Sequence, residues 1–109
     1  MGGLTLSNHE DFTKLFDALS HPMRIKIIGI LSHNRRYVSE LAKLVNMSRP
    51  LLYMHLKKLE DAALVEGTYE ISGSGKTMKY YQLKTFDIRL TPDILAKISE
   101  SIAIKISPI

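Results

Sequence analysis

The stretch from Val38 to Val65, VSELAKLVNMSRPLLYMHLKKLEDAALV, constrains the fold of this chain more than any other part of the sequence. Its first half carries apolar residues at helical spacing, at Leu41, Leu44 and Val45. Ser39 stands before them as a favourable N-cap, and Asn46 follows the last of them. Asparagine tolerates the left-handed backbone conformation that ends a helix and redirects the chain. We therefore expect a short helix followed by a tight turn.

The second half of this stretch predicts another helix. Ser48 can cap its N-terminus, and Pro50 falls in the first turn, where the missing backbone N–H is tolerated. An inward apolar stripe is formed by Leu52, Leu56 and Leu59. The opposite face carries Arg49, Tyr53 and Lys57. The two halves together predict a helix-turn-helix whose second helix is apolar inside and basic and aromatic outside.

The charge around this motif is biased towards basic residues. Between residues 33 and 59 the only acid is Glu40, whereas the basic residues are Arg35, Arg36, Lys43, Arg49, Lys57 and Lys58. A helix that enters the major groove of DNA needs donors for phosphates and base edges, and few carboxylates. We interpret the basic face as a surface for duplex DNA. The alternative is a solvated helix face that is basic by chance.

Length and composition limit the class of protein further. The chain has 109 residues, 45% of them hydrophobic, which fits one globular domain over residues 1–109. A net charge of +4 favours an anionic partner. The absence of cysteine excludes disulfides and thiolate metal sites and is consistent with a cytoplasmic location. No apolar run is long enough to span a bilayer, and no signal peptide is visible.

Two helices are expected before the motif. The first spans residues 7–19, with Ser7 or Asn8 as its cap and an apolar face formed by Phe12, Leu15, Phe16 and Leu19. The second runs from about Pro22 to Ser32 and is apolar on more than one side, so we expect it at the buried centre of the domain. Residues 34–36 then form a polar connection to the motif.

The pattern after the motif changes from helical to strand-like. Two segments, Leu64 to Ile71 and Thr77 to Leu83, are joined by a flexible Gly/Ser turn at residues 72–76. Two strands placed directly after a helix-turn-helix form a hairpin known as a wing. Lys76 and Lys79 lie at its tip or along its second strand, where they can contact phosphates. The alternative is a plain hairpin that only closes the core.

A last helix is predicted over residues 91–107. Thr91 can cap it, and its apolar stripe repeats every four residues, at Ile94, Ile98, Ile102 and Ile106. Such a stripe must be buried against something. We favour a two-fold dimer contact shared with the first helix, which contributes Phe12 and Phe16. The alternative is that the last helix packs on its own domain.

Several segments match one known pattern in the same order along the chain. They are ALSHPMRIKII at residues 18–28, SELA at 39–42, SRP at 48–50, HLKKL at 55–59, AALV at 62–65 and YYQL at 80–83. Together they resemble the ArsR-type winged-helix repressors over residues 16–83. The resemblance implies a mainly α-helical winged helix-turn-helix with a small β-hairpin, in the order helix–helix–helix–helix–strand–strand–helix. It also implies a homodimeric DNA-binding regulator.

The resemblance also assigns roles by motif position. Arg49 and Tyr53 are expected at base edges, while Ser48 and His55 contact phosphate or cap the helix. For His55 the alternative is a half-buried packing role. The remaining expected DNA contacts are the basic residues Arg36, Lys57, Lys58, Lys76 and Lys79.

The chain departs from the family pattern at several positions. Many members sense metals through cysteines or through Asp/His pairs on the last helix, whereas this last helix has Asp93 and Glu100 and no histidine. We therefore expect no metal site and no cofactor. Tyr53 stands where a serine is common. Ala63 stands where a glycine is common, and if φ is positive there, alanine costs on the order of 1 kcal/mol.

The sequence as a whole predicts a sequence-specific regulator of transcription that binds double-stranded DNA as a homodimeric repressor. Its two recognition helices would enter successive major grooves. A rival from another class is a winged-helix protein-interaction module of the transcription or replication machinery. Such a module does not require basic residues to be concentrated around the helix-turn-helix, as they are between residues 33 and 59. An enzyme is not expected, because no carboxylate pair, nucleophile triad or correctly spaced phosphate loop is present.

Overall fold

The computed structural model describes residues 8–104. The elements in this range are α1 (His9–Leu19), α2 (Pro22–Leu31), β1 (Arg36–Tyr37), α3 (Val38–Leu44), α4 (Arg49–Asp61), β2 (Val65–Ile71), β3 (Thr77–Leu83) and α5 (Pro92–Ser99). Helices α3 and α4 form the helix-turn-helix, and β2 and β3 with their turn form the wing. The winged helix-turn-helix is therefore confirmed, with the short strand β1 added before α3.

The core lies between the first four helices and the base of the wing. Leu15 on α1, Ile27 on α2 and Leu41 on α3 are almost completely buried. Helix α4 contributes its whole inward stripe, Leu52, Leu56 and Leu59, each 0% exposed. Because this stripe is fixed in the core, the opposite face of α4 is left to solvent, as the sequence predicted.

Helix α2 is less buried than expected. Ile27 and Leu31 lie in the core, but Ile25 is 56% exposed. A buried Arg24 lies on the inward side instead, at 8% exposure. Ile28 and Ile30 are half-buried against the core, so α2 buries one stripe completely while its opposite side stays in solvent.

The polar connection predicted at residues 34–36 ends in a strand. Strand β1 pairs antiparallel with β3, with Arg36 opposite Tyr81 and Tyr37 opposite Tyr80, so the sheet order is β1-β3-β2. The rings of Tyr37 and Tyr80 stack with centroids 3.7 Å apart. Two residues are too few to show an alternating pattern, which is why the sequence did not reveal this strand.

Helix α3 begins earlier than predicted, and two of its three expected inward residues, Leu41 and Val45, are buried. Its N-cap is Tyr37 rather than Ser39, and the backbone N–H of Tyr37 donates to Glu40 Oε1 at 3.2 Å. Leu44, expected inside, is 54% exposed. The buried residues follow i, i+3, i+4, i+7 spacing at Val38, Leu41, Ala42 and Val45.

The turn between α3 and α4 follows the sequence closely. Asn46 has a φ of 51°, as expected for a residue that reverses the chain. The Ser48 side chain accepts a hydrogen bond from the backbone N–H of Leu51 at 3.4 Å, and Pro50 lies in the first turn of α4. Beyond α4, Ala63 also has a positive φ, 61°.

Helix α5 is shorter than the helix predicted over residues 91–107. It begins after the Thr91 cap but ends at Ser99. The Ser99 hydroxyl donates to the carbonyl of Ala96 at 2.5 Å, and the Ser101 hydroxyl donates to that of Ile98 at 2.7 Å. Serine side chains bonded in this way compete with continuation of a helix. Ile106, predicted in the same stripe, lies outside the described residues.

Helix α5 packs on α1 of its own domain. Ile98 is 4% exposed, and the backbone N–H of His9 donates to the Ser101 hydroxyl at 2.8 Å. The assignment of Ile98 to a dimer interface is therefore wrong, because it has almost no surface left to bury. Ile102 lies beyond the helix and is 48% exposed. Half-buried members of the expected dimer set are Ile94, Phe12 and Phe16.

Candidate nucleic-acid interface

Two side chains on the first turns of α4 face solvent. Arg49 is exposed, and Tyr53, one turn further along, is 40% exposed. Leu52 and Leu56 hold the other side of the helix in the core, which fixes the direction of both side chains. Arg49 forms no ion pair with any residue between 8 and 104. Its guanidinium donors are thus open to an external acceptor.

A groove of about 350 Å³ runs between α4 and the wing. We call it the α4–wing groove; it is lined by Tyr37, Val38, Ser39, Arg49, Tyr53, Tyr69, Lys76, Thr77, Met78 and Lys79. Four of the residues predicted to contact DNA meet here: Arg49, Tyr53, Lys76 and Lys79. They come from two elements far apart in the sequence, so the fold assembles one basic and aromatic surface from them.

The tip of the wing is an ordered turn. The backbone N–H of Ser72 donates to the carbonyl of Lys76 at 2.7 Å, and that of Gly75 donates to the carbonyl of Ser72 at 2.9 Å. Gly75 has a φ of 82°, a conformation that favours glycine. This turn holds the exposed Lys76 side chain at the mouth of the α4–wing groove.

Two lysines of α4 that were predicted to contact DNA form salt bridges with aspartates. Lys57 Nζ lies 3.0 Å from Asp61 Oδ1, and Lys58 Nζ lies 2.9 Å from Asp17 Oδ2 on α1. The hydrogen bond from Lys58 lowers the pKa of Asp17. Neither lysine lines the α4–wing groove. Lys58 faces α1, so the structure does not bring it to the surface where DNA contact was predicted.

Arg36 was also predicted to contact DNA, and it is half-buried in β1. Its Nη1 lies 3.9 Å from Glu40 Oε2, and its Nε is buried without a hydrogen-bond partner among the described residues. Arg35 is hydrogen-bonded to Glu70 and lies over the Tyr80 ring, 4.0 Å from the centroid. This basic pair therefore contacts the sheet and α3 rather than the α4–wing groove.

His55 lies inside the domain. It is 9% exposed, its Nδ1 is 3.1 Å from Arg24 Nη1, and its ring centroid is 4.7 Å from that of His21. Burial lowers the pKa of His55, and the nearby His21 and Arg24 lower it further. A neutral His55 accepts a hydrogen bond from the Arg24 guanidinium. The predicted phosphate contact of His55 is therefore corrected to a packing role.

Sequence reasoning overlooked two apolar side chains on the solvent side of α4. Leu51 is 43% exposed and Met54 is 67% exposed. The sequence did contain a signal for them, because both are apolar residues of the helix that do not belong to its inward stripe. Apolar side chains on a helix in the major groove can pack against the methyl group of thymine. They add candidate base contacts to Arg49 and Tyr53.

Within residues 8–104, no three histidine, aspartate or glutamate side chains lie together in a way that could hold a metal ion. None of the described helices is long and apolar enough to cross a membrane.

The exposed face of α4 beside a two-stranded wing defines the class: this is a winged helix-turn-helix protein. The model of the bacterial regulatory protein arsR family matches residues 21–66. An HTH-type transcriptional regulator of Methanocaldococcus jannaschii is 41% identical over 91 residues, which cover 84% of this chain and 95% of that protein.

Two solved structures show the same fold. The transcriptional repressor BigR from Xylella fastidiosa is 25% identical, with a TM-score of 0.58 over 71% of this chain and 74% of that one. A homodimeric winged helix-turn-helix DNA-binding domain from Mycobacterium bovis is 23% identical, with a TM-score of 0.57 over 68% and 64%. From the family match and the archaeal relative, the chain belongs to the ArsR family of transcriptional regulators.

Proposed function

We propose that this regulator binds a specific duplex DNA site as a homodimer and represses transcription by occluding the promoter. Helix α4 enters the major groove, where Arg49 and Tyr53 meet base edges. The wing lies along the adjacent phosphates, with Lys76 at its tip. A regulator that acts on a bacterial or archaeal chromosome works in the cytoplasm, which is where we place this protein.

The observation that carries this proposal is the α4–wing groove. It holds an arginine without an ion pair among residues 8–104, an exposed tyrosine and a wing-tip lysine on one continuous surface. Arginine recognises the O6 and N7 atoms of guanine through two parallel hydrogen bonds, and lysine contacts phosphates as a point charge. None of the residues that line this groove is a carboxylate, whereas three of them, Arg49, Lys76 and Lys79, are cations that attract a polyanion.

Dimerisation is proposed through the α1–α5 side of the domain. The Mycobacterium bovis domain of the same fold is a homodimer. In this chain, Leu95 is 41% exposed and Ile102 is 48% exposed beside the packed α1 and α5. A two-fold contact through this side buries each of these side chains twice. It also places two recognition helices on one DNA duplex.

Repression is supported by the likeness to BigR, a transcriptional repressor of the same fold at 25% identity. A dimer seated over two half-sites blocks access of the transcription machinery to the DNA beneath it. A promoter-reporter assay tests this directly. Loss of repression on deletion of the protein supports the proposal, whereas loss of expression indicates an activator.

DNA binding is tested by selecting a site from random duplexes and measuring affinity against salt. Two subunits that each neutralise several phosphates should lose roughly 10³-fold in affinity between about 50 and about 200 mM salt. Scrambled duplex is the control, and it should bind more weakly with a similar salt dependence. An affinity that stays constant across this range contradicts the proposal and favours the protein-interaction module.

A further inference from the structure

The ammonium group of Lys79 lies among three tyrosine rings. Its Nζ is 5.0 Å from the ring centroid of Tyr81, 5.1 Å from that of Tyr69 and 5.7 Å from that of Tyr53. A cation within about 6 Å of an aromatic centroid is attracted by the negative face of the ring. Tyr53 belongs to α4, Tyr69 to β2 and Tyr81 to β3. One cation therefore contacts the recognition helix and both strands of the wing.

Gly67 provides the space for this arrangement. A Cβ added at Gly67 would lie 2.8 Å from Lys79 Cε and 3.0 Å from Cε1 of the Tyr81 ring. Glycine weakens a strand, and a close approach of another group is one reason for its presence there. Tyr81 is 1% exposed and held in the core, so the ring has little freedom to move aside. The position thus suits glycine because of the Lys79 stem and the Tyr81 ring above it.

We propose that Lys79 is a positioning residue that fixes the ring of Tyr53 against the wing, and not a phosphate contact. This inference rests on the proposed function, because it concerns how Tyr53 is presented to DNA. The Tyr81 hydroxyl beside the ammonium raises the pKa of Lys79, which keeps the cation charged. An ammonium shared by three rings would have to leave them to reach a phosphate.

The consequence is that the wing helps to set base preference. Tyr53 projects from α4, but its ring is oriented by a side chain of β3 and, through Gly67, by the space in β2. A change in the wing should therefore alter specificity without removing a DNA contact. Lys76, exposed at the tip, serves as the internal comparison, because its ammonium group forms no cation–π contact with these three rings.

The first experiment compares Lys79→Met with Lys76→Met on the selected site and on scrambled duplex. Loss of one phosphate contact lowers the slope of log affinity against log salt by about 1, and affects all sequences alike. We expect that result for Lys76→Met. For Lys79→Met we expect an unchanged slope and a loss on the order of fivefold on the selected site only. A lowered slope with equal losses on both duplexes overturns the positioning role.

The second experiment removes no charge. Gly67→Ala should displace Lys79 and reproduce the selective loss on the specific site, with the salt slope unchanged. Gly73→Ala is the matched control, because nothing lies within 4 Å of a Cβ added there. Thermal melting followed by circular dichroism checks that both variants fold. A folded Gly67→Ala with wild-type preference overturns the proposal; if this variant does not fold, the comparison of the two lysine variants decides.

A DNA-free measurement separates this inference from the proposed function. Because the Lys79 Nζ lies over three tyrosine rings, we expect the protons on its ε-carbon to resonate upfield of those of Lys76 in NMR spectra. Tyr53→Leu should move the Lys79 signal part of the way back. Equal shifts for the two lysines in the wild type overturn the positioning role, whatever the DNA assay gives. Shifted Lys79 signals in a protein that binds no duplex would instead overturn the proposed function alone.

Discussion

Arg24 places a guanidinium inside the domain without a carboxylate partner among the contacts of residues 8–104. Its Nε donates to the carbonyl of Ala18 at 2.7 Å, and its Nη2 donates to the carbonyl of Asp17 at 2.9 Å. These carbonyls lie in the last turn of α1, where a helix leaves acceptors without intrahelical donors. The remaining contact is to His55 on α4. Arg24 thus joins α1, α2 and the recognition helix through hydrogen bonds.

This arrangement predicts that stability falls on mild acidification. Burial lowers the pKa of His55 below its usual 6.5, so the folded protein holds His55 neutral while the unfolded chain takes up a proton. The unfolded state then binds more protons as the pH falls below about 6.5, and the free energy of unfolding decreases until the pH passes the folded-state pKa. A protonated His55 would also be repelled by the positive charge of the neighbouring Arg24 guanidinium. The measurement is chemical denaturation at several pH values between about 7 and about 5.

The control for this prediction is a pair of glutamine variants. His55→Gln keeps an acceptor for Arg24 but does not titrate, so its stability should change less over this range than that of the wild type. His33→Gln changes an exposed histidine and should leave the wild-type dependence intact. Parallel curves for the wild type and His55→Gln would contradict the role assigned to His55.

Arg49 and Lys76 should differ in the kind of DNA contact that they make. Arg49→Ala should cost about 1–3 kcal/mol on the selected site and relax the preference at one base pair, because a bidentate base contact is lost. Lys76→Ala should weaken specific and scrambled duplex alike. Both side chains are exposed, so neither variant should alter the fold. Equal losses on both duplexes for Arg49→Ala would show that Arg49 contacts only the backbone.

At the scale of elements, a residue with positive φ redirects the chain after each of the two helices of the helix-turn-helix. Asn46 follows α3 with a φ of 51°, and Ala63 follows α4 with a φ of 61°. Asparagine can adopt this conformation at little cost, whereas alanine has no side-chain hydrogen bond to compensate. The chain nevertheless reverses there, because Leu64 and Val65 are buried directly afterwards.

Ala63→Gly should therefore stabilise the protein by up to about 1 kcal/mol, since glycine relieves the left-handed strain but has more freedom to lose on folding. The measurement is the midpoint and slope of urea denaturation. Ala96→Gly is the opposite control, because Ala96 is exposed within α5 and glycine there should destabilise the helix. Destabilisation by Ala63→Gly would contradict the strain inferred from φ.

At the scale of the whole molecule, the proposed dimer depends on apolar surface that one chain leaves uncovered. Replacing both Leu95 and Ile102 with glutamate should convert the wild-type dimer to a monomer in sedimentation, with the circular dichroism spectrum unchanged. Burying a leucine or isoleucine contributes roughly 1.5–3 kcal/mol, and a two-fold contact uses each residue twice. Affinity for the selected DNA should fall with it, because a monomer contacts one half-site.

Two controls accompany this prediction. Ile71→Glu introduces the same charge on the wing, at a residue that is 77% exposed, and should leave the dimer intact. Ile98→Glu should instead destabilise the fold, because Ile98 is buried in its own domain. A wild type that sediments as a monomer at micromolar concentration would reject the dimer.

The sequence by itself determined the elements whose signals lie within a short window. The stripe of Leu52, Leu56 and Leu59, the cap at Ser48 and the reversal at Asn46 are all as predicted, because each depends on neighbours a few residues away. The wing strands were likewise marked by their Gly/Ser turn. From these elements alone the winged helix-turn-helix and the outward face of α4 followed.

Only the tertiary structure decided which side chains meet across elements. It placed His55 beside Arg24, buried Ile98 against α1, added β1 to the edge of the wing and brought Lys79 over Tyr53. A periodic pattern predicts which residues of an element share one face. It does not predict which residues of other elements contact that face. That depends on how the helices and the sheet pack together, since contacts between residues distant in the chain leave no periodic trace in the sequence.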